Sequence, residues 1–94
     1  MAKGYVIITE DIKDPAGMAE YGMLASQTMS NAKVLAFSPV AETLEGEWHG
    51  TQTVLLEFES VEAAKEWYYS DEYQAAAKLR QAVADCNGVI VAGF

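Results

Sequence analysis

Four segments of the chain have the β-branched and aromatic composition that is typical of strands: residues 5–9, 33–37, 51–58 and 89–94. In the first, third and fourth segments, apolar side chains occupy both alternating faces. A sheet with one face in water should instead alternate apolar and polar residues. The pattern predicts that helices cover one face of the sheet and that another protein surface covers the second face.

The segments between the strands carry helix start signals. Asp14 followed by Pro15 predicts an N-cap and a first helical residue, because proline lacks an amide hydrogen that this position leaves unused. Asn31 predicts a left-handed residue at the end of this first helix. Ser60 and Ser70 are two further N-cap candidates, so we expect a pair of short helices rather than one long helix.

The end of the chain predicts a turn before the last strand. The second helix of the pair is expected to extend to about Ala84, with Val83 and Cys86 on one apolar side. Asn87 and Gly88 follow, and this dipeptide is a common turn signal. The predicted order is therefore strand, helix, strand, strand, helix pair, strand.

This order is the βαββαβ pattern of a ferredoxin-like fold, an α+β architecture with a four-stranded antiparallel sheet and helices on one face. Strands two and three form its hairpin. A second copy of the chain is the simplest cover for the free apolar sheet face, so the sequence predicts a homodimer with a two-fold interface. With 94 residues, we expect one domain that spans 1–94.

The balance of charges narrows the range of partners. Six Lys and Arg residues against 14 Asp and Glu residues give a net charge of −8, which argues against nucleic acid and anionic membranes as partners, since both require basic side chains. No segment reaches the length of about 18 apolar residues that a membrane span requires. A single cysteine allows no intrachain disulfide, which fits a reducing compartment. We expect a cytoplasmic protein.

The sequence offers no residue set for a metal or a cofactor. One histidine and one cysteine are too few for a Cys/His metal site. There is no glycine-rich phosphate loop, and no motif suggests haem, flavin or nicotinamide. We therefore expect neither a metal nor a cofactor.

Aromatic residues concentrate in residues 60–73, which include Trp67, Tyr68 and Tyr73. One interpretation is a core role, because large aromatic side chains bury the most apolar area per residue. The other is a ligand pocket between sheet and helices, whose lining would also include Tyr5 and Trp48. Apolar walls with a few hydroxyl groups suit a small organic ligand.

Four further side chains are candidates for chemistry or ligand binding. His49, the only histidine, lies in a glycine-flanked turn and is either a solvated loop residue or a proton carrier. Arg80, the only arginine, is either a surface ion-pair partner or a partly buried group that holds the aromatic cluster or a ligand carboxylate. Cys86 is expected to be a small buried apolar residue. Ser38 has no histidine or acid at a spacing typical of a nucleophile.

Motifs that extend over nearly the whole chain occur together in one known family. They are Gly4-Tyr5, Asp14-Pro15, Tyr21, Glu45-Gly46, Trp48, Phe58, Ser60, Ala63-Ala64, Trp67-Tyr68, Ser70, Glu72-Tyr73 and Leu79-Arg80. By these motifs the chain resembles the domain of unknown function 1330 family, small proteins of the dimeric α/β-barrel superfamily. The resemblance implies a ferredoxin-like fold and a homodimer, and it implies no known chemistry because the family's activity is unassigned.

The chain also departs from this family at three places. Asn31-Ala32 stands where family members usually have a glycine pair, and Ser38-Pro39-Val40 replaces an arginine followed by glycines. Gly50-Thr51 stands where the family often has a basic residue before strand three. If those basic residues hold an anionic ligand in relatives, this chain has lost or changed that ligand.

Two hypotheses about function follow. The first is a homodimer without turnover that either has a structural role or binds a small organic ligand. The second is a cofactor-independent enzyme of the oxygenase, isomerase or lyase type that acts on a small carbonyl or aromatic compound, with His49 or a tyrosine as proton carrier. The second is implied by the resemblance, since such clefts serve these enzymes in the superfamily, and fold-level analogy does not fix a function.

Overall fold

The structure, a computed structural model, describes residues 2–94. Its elements are β1 (Gly4–Ile12), α1 (Pro15–Ser26), β2 (Lys33–Ser38), β3 (Gln52–Phe58), α2 (Val61–Tyr68), α3 (Asp71–Val83) and β4 (Ala84–Ala92). The strands form an antiparallel sheet in the order β2-β3-β1-β4. The predicted α+β class and ferredoxin-like order are confirmed. Within residues 2–94, no helix combines the length and the apolarity that crossing a bilayer would require.

Each of the three helices begins where its cap residue predicts. The Asp14 carboxylate accepts a hydrogen bond from the amide three residues later at 3.3 Å. The Ser60 and Ser70 hydroxyls do the same for α2 and α3, at 3.0 and 3.2 Å. These bonds satisfy amide groups that have no partner within the first helical turn.

The predicted left-handed cap at Asn31 is wrong. The first helix ends at Ser26, and its cap residue Gln27 has a right-handed helical backbone. No residue other than glycine has a positive φ in the part of the chain that the structure describes. Turn hydrogen bonds, such as the one from Thr28 N to Ala25 O at 2.9 Å, lead the chain onward from the helix, so no left-handed residue is needed there.

The predicted turn at Asn87 and Gly88 is also wrong. The last strand begins at Ala84, directly after α3, and continues through both residues. Asn87 pairs with Thr9 and Gly88 pairs with Ile8 in the antiparallel ladder with β1. The hydrogen bonds and side-chain contacts of this long ladder outweigh the local turn preference of the dipeptide.

The core lies between the helices and the inner face of the sheet. The inner face carries Val6, Ile8, Leu56 and Phe58, and the helices add Tyr21, Ala25, Ala64, Trp67, Tyr73, Ala76 and Ala77. The Trp67 ring lies at the centre, 3.9 Å from the Tyr73 ring and 5.2 Å from the Phe58 ring between centroids. The aromatic segment thus contributes Trp67 and Tyr73 to the core.

The outer face of the sheet has no helix on it within residues 2–94 and is apolar at its centre. Ile7 pairs with Leu55 on one side and with Val89 on the other. The side chains of Val89 and Val91 are 52% and 41% exposed. The strands are therefore apolar on both faces, as the sequence pattern predicts, while the covering of the outer face by a second copy stays a prediction.

Candidate functional site

The predicted pocket residues lie on opposite faces of the sheet. Tyr5 is on the outer face, where its hydroxyl donates to Glu57 Oε2 at 3.1 Å. Trp48 is in the loop before β3, and its Nε1 donates to Thr53 Oγ1 at 2.9 Å, also on the outer face. A single pocket shared by these two residues and the aromatic residues of α2 and α3 does not form, because strand alternation directs Tyr5 away from the helices.

His49 lies on the outer face as well. Its Nδ1 is 2.8 Å from the hydroxyl oxygen of Thr9, a buried residue of β1. Nearby, the Lys13 ammonium lies 2.8 Å from Asp11 Oδ2, and this contact, with a smaller contribution from His49, lowers the pKa of Asp11. His49 lines neither of the two clefts described below, so its catalytic role stays a prediction.

Trp67 and Tyr73 connect the helices to one another. Trp67 Nε1 donates to Thr28 Oγ1 at 3.0 Å, and the hydroxyl oxygens of Tyr73 and Tyr21 are 2.7 Å apart. Burial raises the pKa of both of these tyrosines. The two hydroxyls are therefore protonated at neutral pH, and they act as hydrogen-bonding groups between α1 and α3 rather than as bases.

Tyr68 and Arg80 meet at a cleft between α2, α3 and β4, which we call the arginine cleft. Its volume is about 430 Å³, and its lining includes Lys65, Tyr68, Arg80, Gln81, Cys86 and Ile90. This volume falls within the range of small-molecule sites, and so does the combination of apolar walls with a few polar groups. Two of the predicted ligand-binding residues, Tyr68 and Arg80, thus come together at a cavity in the arginine cleft.

Arg80 lies in this cleft without a counter-ion. Its side chain is 4% exposed, and its Nε has no hydrogen-bond partner within residues 2–94. Across the same described range, no carboxylate lies within 4.0 Å of its guanidinium. The guanidinium carbon lies 5.8 Å from the centroid of the Tyr21 ring. The surface ion pair that the sequence suggested for Arg80 therefore does not form. The side chain instead buries a charge without an ionised partner, which is costly.

Cys86 differs from its predicted position. It lies in β4 rather than on the side of α3, because the backbone becomes extended at Ala84. It is partly exposed and lines the arginine cleft. Burial raises the pKa of the thiol, although Arg80 acts in the opposite direction. A neutral thiol does not compensate the charge of the arginine, which is protonated at all ordinary pH values.

A second cleft, which we call the α1 cleft, lies between α1 and the strands β2 and β3. Its volume is about 440 Å³, and its walls are mostly apolar, with Met18, Ala25, Met29, Val34 and Leu56 among them. Two polar residues, Glu10 and Gln52, also line it. Gln52 Nε2 donates to Glu10 Oε1 at 2.6 Å, and the two residues are 9% and 1% exposed, respectively.

Sequence reasoning missed Glu10 because it ended the first strand at Thr9. The alternation of Val6 and Ile8 toward the helices, continued by one step, places Glu10 on the inner face. That signal was available in the sequence. Within residues 2–94, no group of three or more His, Cys, Asp and Glu side chains could hold a metal ion.

Comparison with known proteins adds a family and a set of similar folds. The family model described as "Domain of unknown function (DUF1330)" matches residues 3–94. Among curated proteins, none matches the chain.

Several solved structures share the fold. A protein of unknown function from Rhodopseudomonas palustris has a TM-score of 0.78 at 19% identity, over 99% of this chain and 83% of the other. A dimeric ferredoxin-like protein of unknown function from Thermobifida fusca has a TM-score of 0.66 at 14% identity, over 97% and 91%. A candidate antibiotic biosynthesis monooxygenase from Caulobacter crescentus has a TM-score of 0.62 at 17% identity, over 99% and 91%. These identities establish a similar fold and nothing more.

Proposed function

The chain belongs to the family described as "Domain of unknown function (DUF1330)", and from this premise we propose that it is a homodimer that binds a small organic carboxylate in the arginine cleft, without turnover. The observation that carries the proposal is the buried guanidinium of Arg80, which faces a cavity and has no counter-ion within residues 2–94. A bound anion would supply the missing partner.

The chemistry of the cleft favours a carboxylate with an apolar body. A planar guanidinium can donate two parallel hydrogen bonds to a carboxylate, which makes arginine the common partner for this group. Lys65 lines the same cleft, so two of the chain's six basic residues lie there although its net charge is −8. Val6, Ile8 and Ile90 supply apolar surface for the rest of the ligand.

Replacing Arg80 with methionine tests the proposal, with benzoate and phenylacetate as probes. We expect the Arg80→Met variant to bind them roughly 10- to 100-fold more weakly, because hydrogen bonds to charged groups contribute about 1.5–3 kcal/mol. Methyl benzoate, which keeps the ring and the carbonyl group but has neither the charge nor a hydroxyl group, should bind weakly to both proteins. Isothermal titration calorimetry gives the dissociation constants, and inorganic phosphate shows whether any anion suffices.

Lys78→Met is the matched control. Lys78 is exposed on the same helix, so this variant loses the same charge outside the cleft and should bind as the unmodified protein does. Lys65→Met provides a second test that does not disturb a buried side chain, with an expected loss of about threefold, as for a partly exposed ion pair. Equal binding of benzoate and methyl benzoate, or unchanged binding by Arg80→Met, would contradict the proposal.

The homodimer has two supports. The outer sheet face presents Ile7, Leu55, Val89 and Val91, and no helix of residues 2–94 packs on it. The Thermobifida protein of similar fold is described as dimeric. A second copy that packs its own outer face here would bury both apolar surfaces around a two-fold axis.

A charged residue on the outer face should dissociate such a dimer. We expect Val91→Asp to raise the dimer dissociation constant by roughly 100-fold or more, because burying an unpaired ion costs several kcal/mol. Sedimentation at micromolar concentration should then report the 10.2 kDa monomer. Met23→Asp is the control, since Met23 is 71% exposed on α1, on the other side of the molecule. A monomer of the unmodified protein under these conditions would refute the homodimer.

An enzyme without a cofactor is the second candidate, favoured by the similar fold of the candidate monooxygenase. In this alternative the arginine cleft would hold a small carbonyl or aromatic compound. His49 lies on the outer sheet face, so the proton carrier within the cleft would be Tyr68. Recovery of a bound ligand unchanged after long incubation favours the binding role, whereas conversion that is lost in Tyr68→Phe favours the enzyme.

A further inference from the structure

The α1 cleft contains the buried carboxyl group of Glu10, which does not line the arginine cleft. Glu10 is 1% exposed and lines the α1 cleft together with Gln52. A carboxyl group buried among apolar side chains is costly unless its oxygen atoms receive hydrogen bonds. The Gln52 amide donates to Oε1 at 2.6 Å, which leaves Oε2 as the oxygen that a ligand could reach.

The volume of the cleft limits the size of an occupant. The cleft holds about 440 Å³, enough for a small ring compound with substituents. Gly22 lies on its lining, and a Cβ at this position would meet no atom within 4 Å. A side chain at residue 22 would therefore extend into open space beside the cleft.

We propose that the α1 cleft is a second ligand site, for a small apolar molecule that carries one hydroxyl group, with that hydroxyl donating to Glu10 Oε2. The apolar walls, which include Met18, Met29 and Val34, take the body of the molecule. A hydrocarbon would leave Oε2 without a donor, and a carboxylate ligand would bring further acceptors rather than a donor. An ammonium group brings three N–H donors and needs more acceptors than this single oxygen offers.

The site is separate from the arginine cleft. The two linings share Ile8 alone, and their polar groups have opposite character, a carboxyl group in one and a guanidinium in the other. The two clefts are therefore expected to select different ligands, and the binding tests of the two sites succeed or fail independently.

Titration of the 15N-labelled full-length chain with p-cresol and with toluene, followed by amide NMR shifts, tests the inference. We expect p-cresol to bind about tenfold more tightly than toluene, the factor that corresponds to about 1.4 kcal/mol. The shifts should fall on amides around Gly22 and Gln52 rather than on those of β4. In Glu10→Gln, the preference for p-cresol should drop to about threefold or less, because a neutral acceptor forms a weaker hydrogen bond.

Gly22→Leu and Met23→Leu form a matched pair for the same titration. A Cβ at residue 22 meets no atom within 4 Å, so we expect leucine there to be accommodated, to occupy part of the cleft that Gly22 lines, and to weaken p-cresol binding about tenfold or more. Met23, 71% exposed on the same helix, should tolerate leucine with no change. Equal affinity for toluene and p-cresol, shifts confined to the arginine cleft, or full binding by Gly22→Leu would each overturn the inference, and the last test does not depend on the folding of Glu10→Gln.

Discussion

Trp67→Ala is expected to lower the free energy of unfolding by about 3–5 kcal/mol, the range for removing a large aromatic side chain from a core. The Trp67 side chain is buried, and its ring contacts the rings of Tyr73, Phe58 and Tyr68 at centroid distances of 3.9, 5.2 and 6.2 Å. The truncation leaves a cavity among these rings, and it also removes the hydrogen bond to Thr28. Guanidinium denaturation followed by circular dichroism measures the change without relying on tryptophan fluorescence.

Tyr69→Ala is the control for this prediction. Tyr69 stacks edge-on against Tyr68 at 5.1 Å but is 69% exposed, so its loss should cost less than about 1.5 kcal/mol, the value of an aromatic pair. Both variants should be compared at one fixed protomer concentration, because the apparent stability of a dimer depends on concentration. A loss for Trp67→Ala no larger than for Tyr69→Ala would show that Trp67 is not the centre of the core.

Local signals in the sequence predict most of the fold. Asp14, Ser60 and Ser70 each begin a helix, because a cap is a contact between residues three apart and the sequence shows both partners. The apolar character of both strand faces likewise survives in the structure, since strand alternation is also local. These features explain why the element order and the ferredoxin-like topology can be predicted from the sequence alone.

The wrong predictions concern places where a distant segment decides the conformation. Asn87 and Gly88 have a strong local preference for a turn, but pairing with Thr9 and Ile8 keeps them extended. A single sequence shows the local turn preference of these two residues but not the strand with which they pair. Cys86 belongs to the same strand. The sequence predicts it on one side of α3, whereas in the structure it lines the arginine cleft.

The sequence predicts the candidate sites only in part, because distant segments also decide which side chains come together. Arg80 and Tyr68 were found because each stands out by residue type, and helices that are nearly consecutive bring them together. Tyr5 and Trp48 were grouped with them by chemistry alone, although the sheet separates the two sets. Glu10 was missed because the predicted first strand ends at Thr9, whereas β1 extends to Ile12 and places Glu10 in the lining of the α1 cleft.

Gly50→Ala is expected to lower the free energy of unfolding by about 2–5 kcal/mol. Two costs add in this variant, that of a left-handed backbone at alanine and that of a steric overlap of its Cβ. Gly50 has a φ of 72°. A Cβ on it would overlap the backbone carbonyl of Glu10, and that carbonyl accepts the hydrogen bond from Thr51 N at 3.0 Å. Neither group can move without disturbing the β1–β3 ladder where Glu10 pairs with Gln52.

Gly46→Ala separates the two contributions, because Gly46 has a similar φ of 69° but a Cβ there would meet no atom within 4 Å. It should show the cost of the left-handed backbone alone, about 1–2 kcal/mol. The difference between the two variants, measured by guanidinium denaturation at equal protomer concentration, is therefore the cost of the overlap, about 1–3 kcal/mol. Equal losses of unfolding free energy in the two variants would mean that a Cβ at residue 50 does not overlap the Glu10 carbonyl. Because Glu10 is held at this contact, p-cresol binding should weaken in Gly50→Ala and stay unchanged in Gly46→Ala.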